Sequence, residues 1–495
     1  MINSSRFYSK IPILILGLAC IVFSLYGIKE VYRIPYLYTL DPGFHYTTSQ
    51  VLDAEEPLGL KIQTFDGAYI SAEYPSALRT FLVALHEASD ISYLDLFKVF
   101  GIFCRIFTAF VIFYVARYLF TSERVALIVA LLFLSSYYVF FRAIITFPEN
   151  LVVPFHILVF YEVIRSIRSG NIQILLPIYI AGSLLIHYPS GIITIILVVP
   201  LAFFVIKDFF KQPGRRKSLL VQVVLFSLLL IFLSSPVLTN FIERYQKYLV
   251  VNVGKTALEL ISQRGEDRYE PLSAASFGQN LGKITLLFSL ISIPILIFSK
   301  KRENSVILLW FIVAFVLSRG SQFALFIPTG RMLIYLLIPM LFAAGYAIKK
   351  LSDFSQNNFI FSFLLPVILL IILVGTVNGI HGWQAIKDSE LQQAQWLNEH
   401  VDEKTVILND RAWLENAGFL KFKNLETRQD VYKSLFEGGL LNSEKLSEYY
   451  PGKRVLFVAN SARSLIVIPS KYQIQSSWED SVIYDLGTQN ELSRP

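Results

Sequence analysis

The sequence contains little charge and almost no cysteine. Only 16% of its 495 residues are charged and 54% are hydrophobic, and the mean hydropathy is +0.54. A chain this poor in charge is too apolar to be a water-soluble protein of several domains. Its two cysteines, Cys20 and Cys104, both fall in apolar runs that predict membrane spans, so the exported parts of the chain can form no disulfide.

Several sequence motifs are also missing. The sequence has no internal repeat, no glycine-rich phosphate loop, no histidine and cysteine spacing typical of zinc, and no serine nucleophile elbow. Chemistry on soluble nucleotide sugars is therefore not expected. The formal net charge is +7, but the basic residues are grouped in every second short loop, which is typical of membrane topology. We expect no nucleic acid among the partners.

Long apolar runs recur through the first 380 residues. Most of the runs have about 17 to 22 residues, the length that a helix needs to cross about 30 Å of hydrocarbon. We count about eleven, which predicts a polytopic α-helical membrane protein with about 11 transmembrane helices. The runs cover residues 11–28, 96–119, 125–141, 151–167, 172–186, 191–207, 219–236, 284–299, 305–318, 330–348 and 359–379.

The basic loops predict the orientation of the chain. Loops rich in Lys and Arg stay in the cytoplasm, which places the N-terminus there, in a multi-pass protein of the plasma membrane. The long first loop, residues 29–95, then lies outside. An odd number of spans also places the tail outside. We therefore divide the chain into a transmembrane domain, residues 1–380, and an extracytoplasmic domain, residues 381–495.

The extracytoplasmic domain has the pattern of a small α/β fold. Its residues are of mixed polarity, unlike the apolar runs that precede them. Helical spacing of apolar residues and short buried runs predict one helix and three strands. The helix is expected at residues 389–400, and the strands at 405–408, 454–459 and 464–468.

The first external loop contains the run Asp41-Pro42-Gly43-Phe44-His45-Tyr46, about a dozen residues after the end of the first apolar run. A carboxylate, an imidazole and a phenol within six residues, near a membrane surface, make a plausible chemical site. Pro-Gly is also a common turn pair, and Asp before Pro opens ordinary turns. The run is therefore either a catalytic site or a turn. Further along the loop, residues 77–86 show the spacing of an amphipathic helix on the membrane surface.

Three further outer segments carry isolated charged or polar groups. Arg142 and Glu149 lie in one short loop between apolar runs, His187 follows the fifth run, and Arg331 begins the tenth. A charged group at the edge of the hydrocarbon is energetically costly, so it usually forms an ion pair or has a functional role. The alternatives are a snorkelling pair for Arg142 and Glu149, a structural hydrogen bond for His187, and a helix anchor for Arg331. The guanidinium group of an arginine can equally bind two oxygens of one lipid phosphate at the same time.

The run from Asp41 to Tyr46 resembles the first-loop motif of the GT-C membrane glycosyltransferases, above all of oligosaccharyltransferase catalytic subunits. Glu149 sits where those enzymes carry a metal-binding acid, preceded by an arginine at similar spacing, although the second acid is replaced by Asn150. Arg331 is similar to an arginine that contacts the lipid phosphate in that family. The sequence lacks the Trp-Trp-Asp-Tyr-Gly motif that recognises the acceptor sequon in oligosaccharyltransferases.

The resemblance implies a GT-C-like fold and an inverting glycosyltransferase. The donor would be a sugar linked to a polyprenyl phosphate or pyrophosphate, such as a dolichyl phosphate sugar. The acceptor would be a glycan, lipid or protein at the extracytoplasmic face of the bilayer. Mg²⁺ or Mn²⁺ would be optional. The implied roles are catalytic for Asp41 and Glu149, substrate-binding for His45, Tyr46, Arg142, His187 and Arg331, and metal-binding for Asp41, His45 and Glu149.

Two other functions fit the same residues. In a transporter or flippase for a lipid-linked or polar substrate, these charges would line a translocation path. Transporters usually show related halves and polar positions at mid-membrane, and neither is evident in this sequence. A catalytically inactive scaffold is the third alternative.

Overall fold

The structure is a computed structural model, and it groups the chain into two compact units. The first unit comprises Met1–Val31 with Val99–Gly382, and the second comprises Tyr32–Lys98 with Trp383–Pro495. The predicted division of the chain near residue 380 stays a prediction. The residues described are 11–37, 43, 45–50, 62–63, 69–70, 77–252, 274–299, 301–319, 329–354, 360–379, 388–409, 418–426, 429–436, 440–460, 468, 472–478 and 481–488.

Apolar runs form helices because a helix satisfies every backbone polar group internally, which a bilayer requires. In chain order the helices are α1 (Ile11–Val31), α2 (Ala77–Ser89), α3 (Tyr93–Phe120), α4 (Glu123–Leu134), α5 (Tyr137–Ala143), α6 (Pro148–Ser169), α7 (Leu175–Ile186), α8 (Tyr188–Ile196), α9 (Val199–Lys211), α10 (Arg216–Asn252), α11 (Ala274–Leu281), α12 (Lys283–Ile297), α13 (Arg302–Ser318), α14 (Thr329–Phe354), α15 (Leu365–Gly379), α16 (Asp388–His400), α17 (Gln429–Leu435) and α18 (Ser443–Tyr449).

The predicted spans overlap these helices, but the number of crossings stays a prediction. Over the described residues, six helical segments are long and apolar enough to cross a membrane. Helices α4 and α5 meet at 64° and add a seventh if they form one broken span. Helices α7, α12 and most of α15 are shorter apolar helices. The hydropathy of the sequence detects all of these helices, but it does not show which of the short ones cross the membrane.

The centre of the first unit is formed by helices that are apolar on all sides. Every residue of α4 from Val125 to Leu134 is buried, and 89% of the apolar window of α14 lies inside the fold. Helix α14 packs against α4, α12 and α13, and α6 packs against α7. A helix without a polar face belongs in the interior of a bundle. By contrast, only 11% of the apolar window that leads into α10 is buried.

A close helix crossing fixes the segment between α5 and α6. At Gly101 of α3, a Cβ atom would lie too close to the Ala143 carbonyl oxygen and only 2.9 Å from Nδ2 of Asn150. The Gly101 amide also donates a hydrogen bond to Oγ1 of Thr146, at 3.2 Å. The absence of a side chain therefore allows α3 to pack directly on this segment.

The second unit contains a mixed four-stranded sheet. Its strands are β3 (Thr405–Asn409), β4 (Arg454–Asn460), β5 (Gln473–Trp478) and β6 (Ser481–Thr488), in the spatial order β3-β4-β6-β5. Strands β3 and β4 are parallel, and the other pairs are antiparallel. A short antiparallel pair, β1 (Ile62–Gln63) and β2 (Tyr69–Ile70), belongs to the same unit.

Two of the predicted strands and the predicted helix of this region are confirmed as β3, β4 and α16. The strand predicted at residues 464–468 lies almost wholly outside the described residues. Strands β5 and β6 were not predicted, because β5 is largely polar and neither strand contains a continuous apolar run like those of β3 and β4. Edge strand β5 exposes much of its length, including Ile474 at 59%.

Within the second unit, the first loop is bonded to the C-terminal region. The amide of Gly418 donates to Oγ1 of Thr47 at 3.1 Å, and the Gly418 carbonyl accepts from Nδ2 of Asn398 at 2.8 Å. Gly418 has φ +87°, a conformation that favours glycine. The predicted amphipathic helix is confirmed as α2, although Phe81 of its apolar stripe is 47% exposed.

The crossing at Gly101 generates the first prediction. Gly101→Ala should lower the free energy of unfolding by about 1–3 kcal/mol, because the new Cβ forces the two segments apart. Thermal unfolding of the purified protein in detergent measures this change. Gly17→Ala is the matched control, since a Cβ at Gly17 meets no atom within 4 Å. Equal melting temperatures for the two variants would contradict the account of the crossing.

Candidate active site

Glu149 is a buried carboxylate in the first turn of α6. Phe147 is the N-cap residue and Pro148 follows it, a favourable position for a residue that has no amide hydrogen to donate. The positive end of the helix dipole stabilises an acidic group in this turn. The Glu149 side chain is only 4% exposed, so its charge must be balanced by groups of the protein.

Two guanidinium groups and one imidazole surround a single oxygen of Glu149. Its Oε1 atom lies 3.8 Å from Nη2 of Arg142, 3.9 Å from Nε2 of His187 and 3.8 Å from Nη1 of Arg331. These distances allow electrostatic attraction but exceed the length of a hydrogen bond. The side chains of Arg142 and His187 are 10% and 2% exposed, whereas that of Arg331 is 43% exposed. Arg331 is therefore the group most accessible to a ligand.

Arg142 is held in place by aromatic and backbone contacts. It lies near the end of α5, and its guanidinium carbon is 3.9 Å from the centre of the Phe147 ring and 6.0 Å from that of Tyr138. Cations are attracted to the faces of aromatic rings, more strongly when they are shielded from water. The side chain is thus oriented toward Glu149 by the short segment that joins α5 and α6.

A buried hydrogen-bond network supports that segment. Arg105 of α3 is fully buried and donates from Nη2 to Oδ1 of Asn150 at 2.6 Å. Asn150 in turn donates from Nδ2 to the carbonyl oxygens of Arg142 at 3.0 Å and Ile145 at 2.8 Å. The motif marks Asn150 only as the replacement of a second acid, and no motif includes Arg105. An arginine within an apolar run was the available signal, since such a charge needs a partner.

His187 occupies the junction between α7 and α8. Its Nδ1 atom is 2.5 Å from Oγ of Ser190, and the Ser190 carbonyl accepts from Oγ1 of Thr194 at 2.9 Å. The same Thr194 hydroxyl lies 3.1 Å from Nδ1 of the buried His156. These bonds fix the ring of His187 so that Nε2 is the atom directed at Glu149.

The predicted site residues fall into three groups. Arg142, Glu149, His187 and Arg331 come together in the first unit. His45 and Tyr46 belong to the second unit, and Asp41 lies outside the described residues. The roles predicted for all seven residues stay predictions.

The described parts of the first loop are well packed. His45 is 4% exposed, and its carbonyl accepts hydrogen bonds from the Thr48 and Ser49 hydroxyls at 3.2 and 2.8 Å. Tyr46 packs edge-on against Tyr36, with ring centres 5.6 Å apart. Burial raises the pKa of the Tyr46 phenol. In this arrangement the phenol stays protonated at neutral pH.

The surroundings of Glu149 do not fit a divalent cation. Among the described residues no three His, Cys, Asp or Glu side chains cluster in a way that could hold a metal. Glu149 faces two guanidinium groups instead of further carboxylates, and these would repel a cation. The charge pattern suits an anion. The metal set predicted from Asp41, His45 and Glu149 includes Asp41, which lies outside the described residues, and it stays a prediction.

Comparisons with known proteins identify the fold. No protein-family model matches the sequence, and a search of curated protein sequences finds no match. ArnT from Cupriavidus metallidurans, solved with bound undecaprenyl phosphate, has a TM-score of 0.60 and 11% identity over 96% of this chain and 97% of ArnT. AglB, the oligosaccharyltransferase of Archaeoglobus fulgidus solved with an inhibitory peptide and a dolichol-phosphate, has a TM-score of 0.61 and 12% identity over 91% of this chain and 70% of AglB.

A third similar structure is the arabinofuranosyltransferase AftD from Mycobacteria, with a TM-score of 0.57 and 12% identity over 96% of this chain and 40% of AftD. All three are GT-C glycosyltransferases, and the predicted GT-C-like fold is confirmed. Together with the apolar helices, this fold shows a multi-pass membrane protein. The Archaeoglobus fulgidus enzyme has also been solved with zinc and sulfate.

The network around Asn150 generates the second prediction. Asn150→Leu removes the acceptor of a buried guanidinium, and the loss of a hydrogen bond to a charged group should cost about 1.5–3 kcal/mol of stability. Arg105→Met should then be better tolerated in the Asn150→Leu background than in the parent, because the unpaired charge is gone. A double-mutant cycle of unfolding free energies measures the coupling. Strictly additive effects would mean that the two side chains do not depend on each other.

Proposed function

We propose that this protein is a membrane glycosyltransferase that uses a sugar linked to a polyprenyl phosphate or pyrophosphate. The acceptor reacts at the extracytoplasmic face, with inversion at the sugar's anomeric carbon. The observation that carries the proposal is the convergence of Arg142, His187 and Arg331 on the buried Glu149 carboxylate, within a GT-C fold. The similarity to structures that hold undecaprenyl phosphate and dolichol-phosphate supports a lipid-linked donor.

The arrangement suits a phosphate that gains charge during the reaction. Arg142 and Arg331 approach Glu149 without hydrogen bonding to it. The planar guanidinium group of the more exposed Arg331 is suited to bind two oxygens of a phosphate, and the charge of Arg142 lies beside it. As the bond between the sugar and the phosphate breaks, negative charge builds up on the departing phosphate. Cations fixed beforehand at that position stabilise the transition state more than the bound donor.

Glu149 has a positioning role in this mechanism. Two guanidinium groups buried together would repel each other, and a carboxylate between them reduces that repulsion. When a donor phosphate binds, Glu149 keeps the surrounding side chains at fixed distances around the anion. His187, held by Ser190, contributes a further polar contact on the same side of the site.

Asp41 is proposed as the general base. Its assignment rests on the first-loop motif and on the fold that the chain shares with the GT-C enzymes. Its carboxylate would take the proton of the acceptor as the acceptor attacks the anomeric carbon from the face opposite the phosphate. Base catalysis of this kind contributes about 10²- to 10⁴-fold in rate.

Replacement of Arg331 tests the phosphate site. Arg331→Lys should weaken binding of the polyprenyl-phosphate donor by about tenfold, the equivalent of 1.4 kcal/mol, because an ammonium cannot reproduce the two-oxygen contact. Equilibrium binding of a radiolabelled donor measures the effect. Arg117→Lys is the matched control, since Arg117 is 53% exposed and pairs with Glu123. If Arg331→Lys binds the donor as tightly as the parent, Arg331 is only a helix anchor.

Replacement of Asp41 tests the base. Asp41→Asn keeps the size of the side chain but cannot accept the proton, so turnover should fall by about two to four orders of magnitude. The melting temperature should not change, since Asn opens a turn as well as Asp does. Full activity of the variant would remove Asp41 from the mechanism. Partial rescue by added Mn²⁺ or Mg²⁺ would show that it is chiefly a metal ligand.

A further inference from the structure

A groove lies in the first unit, beside helix α5, which carries Arg142. It has a volume of about 320 Å³ and is bounded by the end of α4, the start of α5, the junction of α11 with α12, and α15. One wall is apolar and is formed by Leu132, Leu369 and Ile372. On the neighbouring surface of α15, Ile371 is 66% exposed. The apolar wall therefore continues onto a surface suited to hydrocarbon.

Hydrogen bonds between elements define the shape of the groove. The hydroxyl of Ser136 donates to the Asn280 carbonyl at 2.8 Å, and the hydroxyl of Thr376 donates to the Ser135 carbonyl at 3.2 Å. Gly282, with φ +92°, makes the turn between α11 and α12. These contacts join three parts of the chain that are far apart in sequence. The shape of the groove is thus fixed by contacts between helices of the bundle.

The other side of the groove is polar and carries a positive charge. Its exposed lining includes Tyr137, Gln279 and Lys283. The Lys283 ammonium forms no ion pair or hydrogen bond within the described part of the chain. An ammonium beside an apolar wall matches a molecule that combines an anionic headgroup with a hydrocarbon chain.

Helix α5 connects this groove with the Glu149 site. Tyr137 lines the groove at the start of the helix, and Arg142 lies five residues further on. At 1.5 Å per residue, the two positions are about 7.5 Å apart along the helix axis. Five residues also turn the helix by about 140°, so the two side chains lie on different faces of α5. A lipid headgroup in the groove would therefore lie beside the helix that carries Arg142.

We propose that this groove binds the acceptor, and that the acceptor is a lipid with an anionic headgroup. The inference rests on the proposed glycosyl transfer and names its acceptor class. A hydroxyl oxygen of the lipid headgroup forms the new bond to the anomeric carbon. The bond from that carbon to the donor phosphate oxygen breaks, its electron pair leaves with the polyprenyl phosphate, and the hydroxyl proton passes to the general base of the proposed reaction.

Photo-crosslinking tests the groove. The parent protein is placed in liposomes that contain either phosphatidylglycerol or phosphatidylcholine with a diazirine in the acyl chain, and labelling of α15 is measured by peptide mapping. One lysine near the membrane surface stabilises the binding of an anionic lipid by about 1 kcal/mol. The phosphatidylglycerol probe should therefore label α15 about fivefold more strongly than the phosphatidylcholine probe. Lys283→Glu and Lys283→Gln should abolish this preference. Lys217→Glu, a change of another exposed lysine, should preserve it.

Other labelling results would overturn the inference. Equal labelling by the two phospholipids in the parent would remove the anionic preference. A preference that survives in both Lys283 variants would show that Lys283 does not bind the headgroup. Protection of α15 by added polyprenyl phosphate, with no effect on labelling elsewhere, would assign the groove to the donor tail.

A transfer assay separates this inference from the proposed function. Vesicles that contain a panel of radiolabelled polyprenyl-phosphate sugars and phosphatidylglycerol are incubated with the parent, and the label is followed into new lipid, protein and water-soluble products. New labelled lipid, with a raised KM for phosphatidylglycerol and unchanged donor binding in Lys283→Glu, supports a lipid acceptor. Transfer only to protein or soluble products overturns the lipid acceptor while glycosyl transfer stands. No transfer from any donor overturns the proposed function itself.

Discussion

The attraction between one buried carboxylate and the cationic side chains around it is the interaction on which the site depends. Glu149 lies within 3.9 Å of Arg142, His187 and Arg331, which come from α5, the junction of α7 and α8, and α14. A buried charge persists only where opposite charges or hydrogen bonds compensate its loss of hydration. The three elements must therefore pack so that their polar groups meet at this point.

A second layer of contacts makes that packing possible. The Gly101 crossing and the bond from Arg105 to Asn150 both act on the segment between α5 and α6. Asn150 fixes two carbonyl groups of this segment, including that of Arg142. The position of the Arg142 guanidinium is thus set by a glycine and an arginine of α3, although neither of them lies against Glu149. Substitutions in α3 can alter the site without touching a ligand.

Sequence reasoning identified the charged residues of this site but not their support. Arg142, Glu149, His187 and Arg331 were detectable because charged and polar groups are conspicuous beside apolar runs, and the alternation of basic loops predicted one common side for them. The bond between Arg105 and Asn150 joins residues 45 positions apart, and local patterns contain no information about such a pairing. Helix positions followed from hydropathy, whereas strands β5 and β6 did not, since the pairing of β6 with β4 and of β5 with β6 decides their structure.

The most direct test of the account is donor binding by a protein that lacks both guanidinium groups of the site. Purified parent and an Arg142→Met, Arg331→Met double variant are titrated with a panel of radiolabelled polyprenyl-phosphate sugars, with thermal unfolding as the check on folding. Hydrogen bonds to charged groups contribute about 1.5–3 kcal/mol each, so the account predicts saturable binding by the parent and a loss of about hundredfold or more in affinity in the folded double variant. Equal affinity of the two proteins for every donor would contradict a phosphate site at Glu149.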